Sequence, residues 1–151
     1  MPEFQLRPSV ASDAEWMVEL RAEVMFPDLD RLGRFDPVRV RERFLTAFDP
    51  TLTSVIEIDG QPVGLIAVRP ESDAKWIEHF YLRTDLQGQG LGSAVLVEVM
   101  TRHADERPFR LNVLLGSPAR RLYERHGFRF ESQDDHIDVY VYEGGADPNA
   151  S

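Results

Sequence analysis

The stretch Tyr81–Met100, YLRTDLQGQGLGSAVLVEVM, decides how this chain is read. Just before and into it, Trp76 to Leu82 alternates as a half-buried strand does. The strand meets a polar turn, passes through Gln87, Gly88, Gln89, Gly90, Leu91 and Gly92, and becomes a helical pattern from Ser93. Three glycines within five residues let the main chain approach a ligand closely. A helix starting there adds unpaired N–H groups and the positive end of its dipole, which together suit a phosphate or pyrophosphate. Two other phosphate motifs do not fit. The P-loop needs a lysine that is absent between Gln87 and Gly92, and GQGLG lies too far along the chain for the opening turn of a dinucleotide fold.

Working outward, 151 residues suit one domain, expected over 1–143 with a loose tail at 144–151. At 42% hydrophobic and 28% charged residues the chain can bury a core and does not read as disordered. A net charge of -9 argues against general nucleic-acid binding, which needs a basic footprint. The absence of cysteine excludes disulfides, thiolate nucleophiles and cysteine-held metals. No run approaches 18 apolar residues and the N-terminus lacks the pattern of a signal peptide, so no membrane partner and a cytoplasmic location are expected. Charge is uneven: Thr101–Phe130 holds seven arginines against three acids, and Glu131–Ser151 holds six acids and no Lys or Arg. A basic segment after the glycine turn suits an anionic ligand. The overall acidity leans toward a cationic acceptor.

In chain order, Phe4, Leu6 and the break at Pro8 suggest a short strand. Ser12, with Glu15 in a capping box, opens a helix expected over Ala14–Met25 from the spacing of Trp16, Leu20 and Val24. A polar turn over Pro27–Arg34 follows, then a helix with Asp36 as cap and Pro37 first, running through Phe44 and Phe48. Thr53–Ile58 and Val63–Val68 form a hairpin across Asp59-Gly60. Lys75–Leu82 is the next strand, the helix from Ser93 reaches Thr101 or His103, and Phe109–Leu114 is again strand. Ser117 and Pro118 start a last helix that Gly127 ends. Phe128–Glu131 and Ile137–Tyr142 then pair across a turn at Asp134-Asp135.

Two of these segments carry a family resemblance. Gln87, Gly90 and Gly92 match the Gln-x-x-Gly-x-Gly signature of the GNAT superfamily of acetyl-coenzyme A dependent N-acetyltransferases, and SPARRLYERHGF, Ser117–Phe128, is similar to its C-terminal signature at compatible spacing. The resemblance implies a single mixed α/β domain with a mostly antiparallel sheet of about seven strands flanked by about four helices. It also implies that two parallel strands, here Lys75–Leu82 and Phe109–Leu114, splay to admit the cofactor. Acetyl-coenzyme A would then lie against Leu82 and Arg83, the turn Gln87 to Gly92 with Ser93, and Ser117, Arg120 and Tyr123. Ser117 stands where the family often has asparagine.

The chemistry such a site needs is modest. A thioester is already activated, so placing both partners and moving protons is most of the work. Without cysteine no acyl-cysteine can form, and direct attack by the amine is the simplest scheme. The resemblance makes Tyr123 the general acid. Glu78 is the expected base, because alternation with Trp76, Phe80 and Leu82 turns it to an apolar face where its proton affinity would rise. On the same alternation His79 points the other way. Phe26, Trp76, His136 and Asp138 are expected around an acceptor amine of a small molecule or peptide. Arg121 is a further candidate for the cofactor's phosphate, while His103 and His126 read as structural. The four histidines show no metal-binding spacing, so no metal is expected. A homodimer is possible, and the rival function is a coenzyme A-binding regulatory or partner-binding domain without turnover.

Overall fold

The computed structural model describes residues 3–143, and the expected tail at 144–151 lies outside them. Strand β1 is Gln5–Pro8, followed by helices α1, Ala14–Arg31, and α2, Pro37–Ala47. Strands β2, Thr53–Ile58, β3, Gln61–Pro70, and β4, Lys75–Leu82, lead to helix α3, Leu91–Arg102. Then come β5, Phe109–Leu114, helix α4, Arg120–Arg125, and the pair β6, Arg129–Asp134, and β7, Ile137–Tyr142. All seven strands form one sheet in the order β1-β2-β3-β4-β5-β7-β6, and every neighbour is antiparallel except β4 and β5. The mixed sheet with a splayed parallel pair is therefore present.

The sheet is covered on both faces. On one, Leu91, Val95, Leu96 and Val99 of α3 join Tyr123 and Phe128 against Ile66, Ile77, Leu82 and Leu111. On the other, Met17, Val18 and Leu20 of α1 and Phe44 of α2 pack on Val55 and Leu65. This two-sided burial explains why the middle of β3 is buried without interruption from Val63 to Val68. The β2–β3 hairpin turns at Asp59 and Gly60, both at positive φ (51° and 77°), the conformation an Asp-Gly pair favours. Asp36 caps α2 as expected, its Oδ1 accepting from Val38 N and Arg39 N at 2.9 and 3.0 Å.

Several boundaries differ from expectation, each for a local reason. Helix α1 does not stop at Met25 but continues through Pro27 to Arg31. The rung lost at Pro27 does not end it: further on, Arg31 Nη2 donates to Leu115 O at 2.7 Å, and the helix closes at Gly33, φ 69°. Ser12 caps nothing; a 3-10 turn, Ala11–Asp13, precedes α1, and Asp13 Oδ2 accepts from Val10 N at 2.9 Å. Asp13 also takes both terminal nitrogens of Arg7, which holds its carboxyl well below the usual range. Helix α2 ends before Phe48, α3 begins at Leu91, and α4 begins only at Arg120. Strand β6 runs longer than expected, and the last turn falls on Asp135-His136 with Asp135 at φ 53°. No helix among the described residues is long and apolar enough to cross a membrane.

Candidate active site

Strands β4 and β5 are paired only at their start, through Lys75 with Phe109 and Trp76 with Arg110. Beyond that point β5 stays bonded to β7 along its whole length, while β4 stays with β3, so a gap opens between them. Strand β4 also bulges. Ala67 faces Glu78 and Leu65 faces Tyr81, so two residues, His79 and Phe80, stand opposite one, with His79 at φ 51°. The bulge reverses the side-chain phase. Ile77 lies in the α3 layer, yet so do Phe80 and Leu82, while Tyr81 packs in the α1 layer. The expected common face of Glu78, Phe80 and Leu82 is therefore corrected.

A cavity of about 610 Å³ occupies the region between α1, α2 and the open ends of β4 and β5, bordered by Arg21, Trp76, Glu78, Tyr81, Tyr123 and His136, among others. Tyr123 reaches it from α4, buried among Phe128 and the α3 residues, with no hydrogen bond to its hydroxyl among the described residues. Burial pushes its phenol above the ordinary value, and nearby Tyr81 adds to this. At neutral pH it holds its proton firmly. Glu78 does not sit among apolar groups: its Oε1 accepts from Arg69 Nε at 3.0 Å and Nη2 at 2.9 Å, and Arg69 lies over the Trp76 ring at 5.9 Å. Oε2 has no partner among the described residues, and Glu78 borders the cavity.

The cavity wall also contains a polar group that alternation hid. Arg21 of α1, only 8% exposed, donates from Nη1 to the Tyr81 hydroxyl at 3.0 Å and to His79 Nδ1 at 3.2 Å. The Tyr81 hydroxyl is also 3.6 Å from Met25 Sδ. Burial, reinforced by the Arg21 charge and opposed by Glu78, lowers the His79 pKa from 6.5 to about 4. His79 is thus neutral at pH 7, with Nδ1 accepting and the proton on Nε2. Tyr81 is raised by burial and partly drawn back by Arg21.

The glycine turn lies beside this cavity rather than in its wall. Gly88 and Gly90 have φ of 76° and 88°, which only glycine adopts readily, and Gly90 stands at the N-cap of α3. No acceptor among the described residues takes the N–H groups of Gly88, Gln89, Gly90, Leu91, Gly92 or Ser93. Gln87 fixes the turn, its Nε2 donating to Leu82 O at 3.1 Å, and Gln89 Nε2 donates to Asp85 O at 2.9 Å. A Cβ on Gly92 would meet Leu122 and Leu82 at 3.5 and 3.6 Å, ordinary van der Waals contact, so space alone does not require glycine there. Arg83 N donates to Val63 O at 2.9 Å and is engaged in the sheet, which turns the main-chain N–H of the adjacent Leu82 to the open gap. The Ser93 hydroxyl is 3.0 Å from His126 Nε2, tying the start of α3 to the end of α4. Ser117 is buried, its Oγ accepting from Ala119 N at 3.2 Å, and Arg120 Nη1 returns to Ser117 O at 3.3 Å.

Of the four expected acceptor residues, Trp76 and His136 border the cavity, and Phe26 and Asp138 do not. Phe26 lies outward, 45% exposed, with its ring edge-on to Phe35 at 4.8 Å, because the continued α1 turns Met25 and Leu29 inward instead. Asp138 shares its side of β7 with Tyr140, which is buried in the α3 layer, and its Oδ1 is buried without a partner. His136 Nδ1 is 2.8 Å from Asp135 Oδ2, and Asp135 holds Arg34 at 2.9 Å, closing one end of the cavity. Arg21 and Tyr81 were not expected here. Arg21 had a sequence signal: Met17, Arg21 and Met25 repeat every four residues, placing a cation in an apolar row of α1. Among the described residues no group of three or more His, Cys, Asp or Glu side chains is placed to hold a metal.

The sequence matches the family model of the acetyltransferase (GNAT) domain over residues 49–130. That is more than half of the chain, and the chain belongs to the GNAT acetyltransferase family, which uses acetyl-coenzyme A. No curated protein matches it. Among solved structures, the PaiA N-acetyltransferase of Thermoplasma acidophilum in complex with coenzyme A has a TM-score of 0.75 at 16% identity, over 93% of this chain and 99% of that one. An acetyltransferase from Thermus thermophilus has a TM-score of 0.71 at 20% identity, over 92% and 96%. The N-acetylglutamate synthase of Neisseria gonorrhoeae, complexed with coenzyme A and L-arginine, has 0.68 at 15% identity, over 95% of this chain and 34% of that one. At these identities the likeness is one of fold.

Proposed function

We propose that this acetyltransferase acts on a primary amine, carried by a small molecule or an exposed peptide, through direct attack on the acetyl group. The observation that carries the reading is the buried, protonated Tyr123 hydroxyl, free of protein partners among the described residues and facing the gap where β4 and β5 part. The cofactor fits the residues present. Its pyrophosphate would be held by the N–H groups of Gly88 to Ser93, its pantetheine arm by the Leu82 N–H, and its adenosine end near Ser117 and Arg120. Bound acetyl-coenzyme A supplies an activated thioester whose sulfur leaves as a thiol.

The chain's own groups then move two protons. Tyr123 Oη holds one as general acid, kept in place by the low polarity around it. The amine's proton goes to Glu78 Oε2, directly or through a water, while Oε1 stays anchored on Arg69. His79 is the weaker base candidate: it borders the cavity, but its Nδ1 lone pair faces Arg21 and its pKa is lowered to about 4. The test is release of free thiol from acetyl-coenzyme A across a panel of amines, beside calorimetric titration of the cofactor alone. Amine-dependent release establishes the reading. Tight binding with no release for amines or peptides would support the regulatory alternative. Between the bases, loss of the rate in Glu78→Gln with retention in His79→Gln identifies Glu78, and the reverse pattern identifies His79.

A further inference from the structure

The cavity's charges do not follow the chain's acidity. Its acids are already engaged: Glu78 with Arg69, Asp28 with Arg31 at 3.1 Å, and Asp36 with the first N–H groups of α2. Of its cations, Arg34 is held by Asp135, but Arg21, Arg39 and Arg43 have no counter-charge among the described residues. Arg21 is almost wholly hidden from water, and no carboxylate lies within ion-pair distance of it among the described residues. The acceptors that Nη1 does reach, the Tyr81 hydroxyl and the neutral His79 ring, carry no charge, and Nε is buried with no acceptor at all among the described residues. At the rim the exposed Arg39 and Arg43 form no ion pair among the described residues. A buried guanidinium without a counter-charge is unfavourable unless something else supplies one. Lys75, the other buried cation, shows what compensation looks like here, with a carbonyl, a carboxylate and an aromatic ring around it.

We propose that Arg21 seats an oxyanion of the acceptor, so that the substrates are amines that also carry a carboxylate or a phosphate, amino acids being the simplest class. The proposal rests on the amine-acetyltransferase reading and narrows it. Arg21 borders the same cavity as Tyr123, so an acceptor held by its anion at the α1 wall presents its amine across the cavity toward the gap between β4 and β5. Guanidinium suits this task because its fork of donors matches a planar or tetrahedral oxyanion, and burial strengthens the pairing. Selection works in the opposite sense to bulk charge: a polyamine brings a further cation to a wall that already lacks anions.

The experiment compares kcat/KM within matched pairs: phenylalanine and phenethylamine, lysine and cadaverine, serine and ethanolamine, with phosphoethanolamine added to separate phosphate from carboxylate. Wild type is expected to favour the anionic member of at least one pair by about tenfold or more, the ratio that one added charge-assisted hydrogen bond supplies. That ratio should collapse in Arg21→Met and be partly kept in Arg21→Lys, which also carries the comparison if Arg21→Met does not fold. Equal use of both members, or a preference unchanged in both variants, overturns the anion seat while leaving amine acetylation standing. A second arm needs no turnover. With coenzyme A present, N-acetylphenylalanine should raise the melting temperature of wild type but not of Arg21→Met, and its methyl ester should raise neither. That pattern with no turnover of any amine would keep the anion seat and remove the amine-acetylation reading. Absence of stabilisation together with absence of preference overturns the seat.

Discussion

Strand β4 has a closed end and an open end, and each holds a buried cation in a different state. At the closed end Lys75, 2% exposed, donates to His103 O at 2.7 Å, lies 3.1 Å from Asp105 Oδ1 and sits 3.9 Å from the centre of the Phe109 ring. Every direction around that ammonium is answered, and it lies where β4 and β5 are still joined. At the open end Arg21 meets a phenol and a neutral imidazole and, among the described residues, no anion. The first arrangement is what a group needs when its job is to hold strands together. The second leaves an electrostatic demand that folding alone does not meet. Buried charge is thus read by its surroundings, and the same strand separates a structural use from one directed at a ligand.

The comparison can be broken most severely at the open end. Tyr123→Phe is expected to lower kcat by roughly 100- to 1000-fold, about 3–4 kcal/mol, with coenzyme A affinity nearly intact. Its stability should stay close to wild type, since the lost hydroxyl had no protein partner among the described residues. Equal loss of kcat and cofactor affinity in titration would move Tyr123 from chemistry to packing. The closed end should behave oppositely: Lys75→Met is expected to cost about 2 kcal/mol in urea unfolding, because it orphans the His103 carbonyl, while Asp105 keeps Arg107. Arg21→Met should leave stability close to wild type, since it trades two hydrogen bonds for relief of a buried charge without a counter-charge.

A pH titration sharpens the contrast further. With the native His79 pKa near 4 and its ordinary value 6.5, the unfolded chain takes up a proton that the native state refuses between those limits. Stability should therefore fall as pH drops from about 6.5 to about 4, by roughly 2 kcal/mol after allowance for partial solvent access, and this component should vanish in His79→Gln. The smallest effect concerns the wall of the cavity. Asp36→Ala removes the cap of α2, and the same unfolding assay should show a small drop in the urea midpoint with no change in its slope.

Much of this architecture was legible because local chemistry and tertiary context agree. Alternation over Thr53–Ile58 and Phe109–Leu114, the Asp59-Gly60 turn and the Asp36-Pro37 helix start all mean locally what they mean in the fold. The glycine turn was equally plain, since Gly88 and Gly90 occupy the conformations for which glycine is needed. What stayed hidden depends on partners distant in sequence. Nothing near Pro27 announces that Arg31 will find the Leu115 carbonyl and carry α1 onward. Nothing in WIEHFYL reveals the extra residue in β4, since the partner strand creates the mismatch. That mismatch is also why alternation placed Glu78 among apolar neighbours and turned His79 away from the cavity it borders.

The same extra residue makes the faces of β4 a matter of pairing rather than of count along the chain. Just past it, Gly64 faces Leu82, and a Cβ there would run into the Tyr81 carbonyl oxygen, so β3 lies too close to β4 at that point for any side chain. Deleting His79 would restore regular pairing, with Phe80 opposite Ile66, and leave Tyr81 and Leu82 on the sides they now occupy. For this strand, the side each residue takes is inherited from its partner, and the extra residue serves what is presented to the cavity rather than the register.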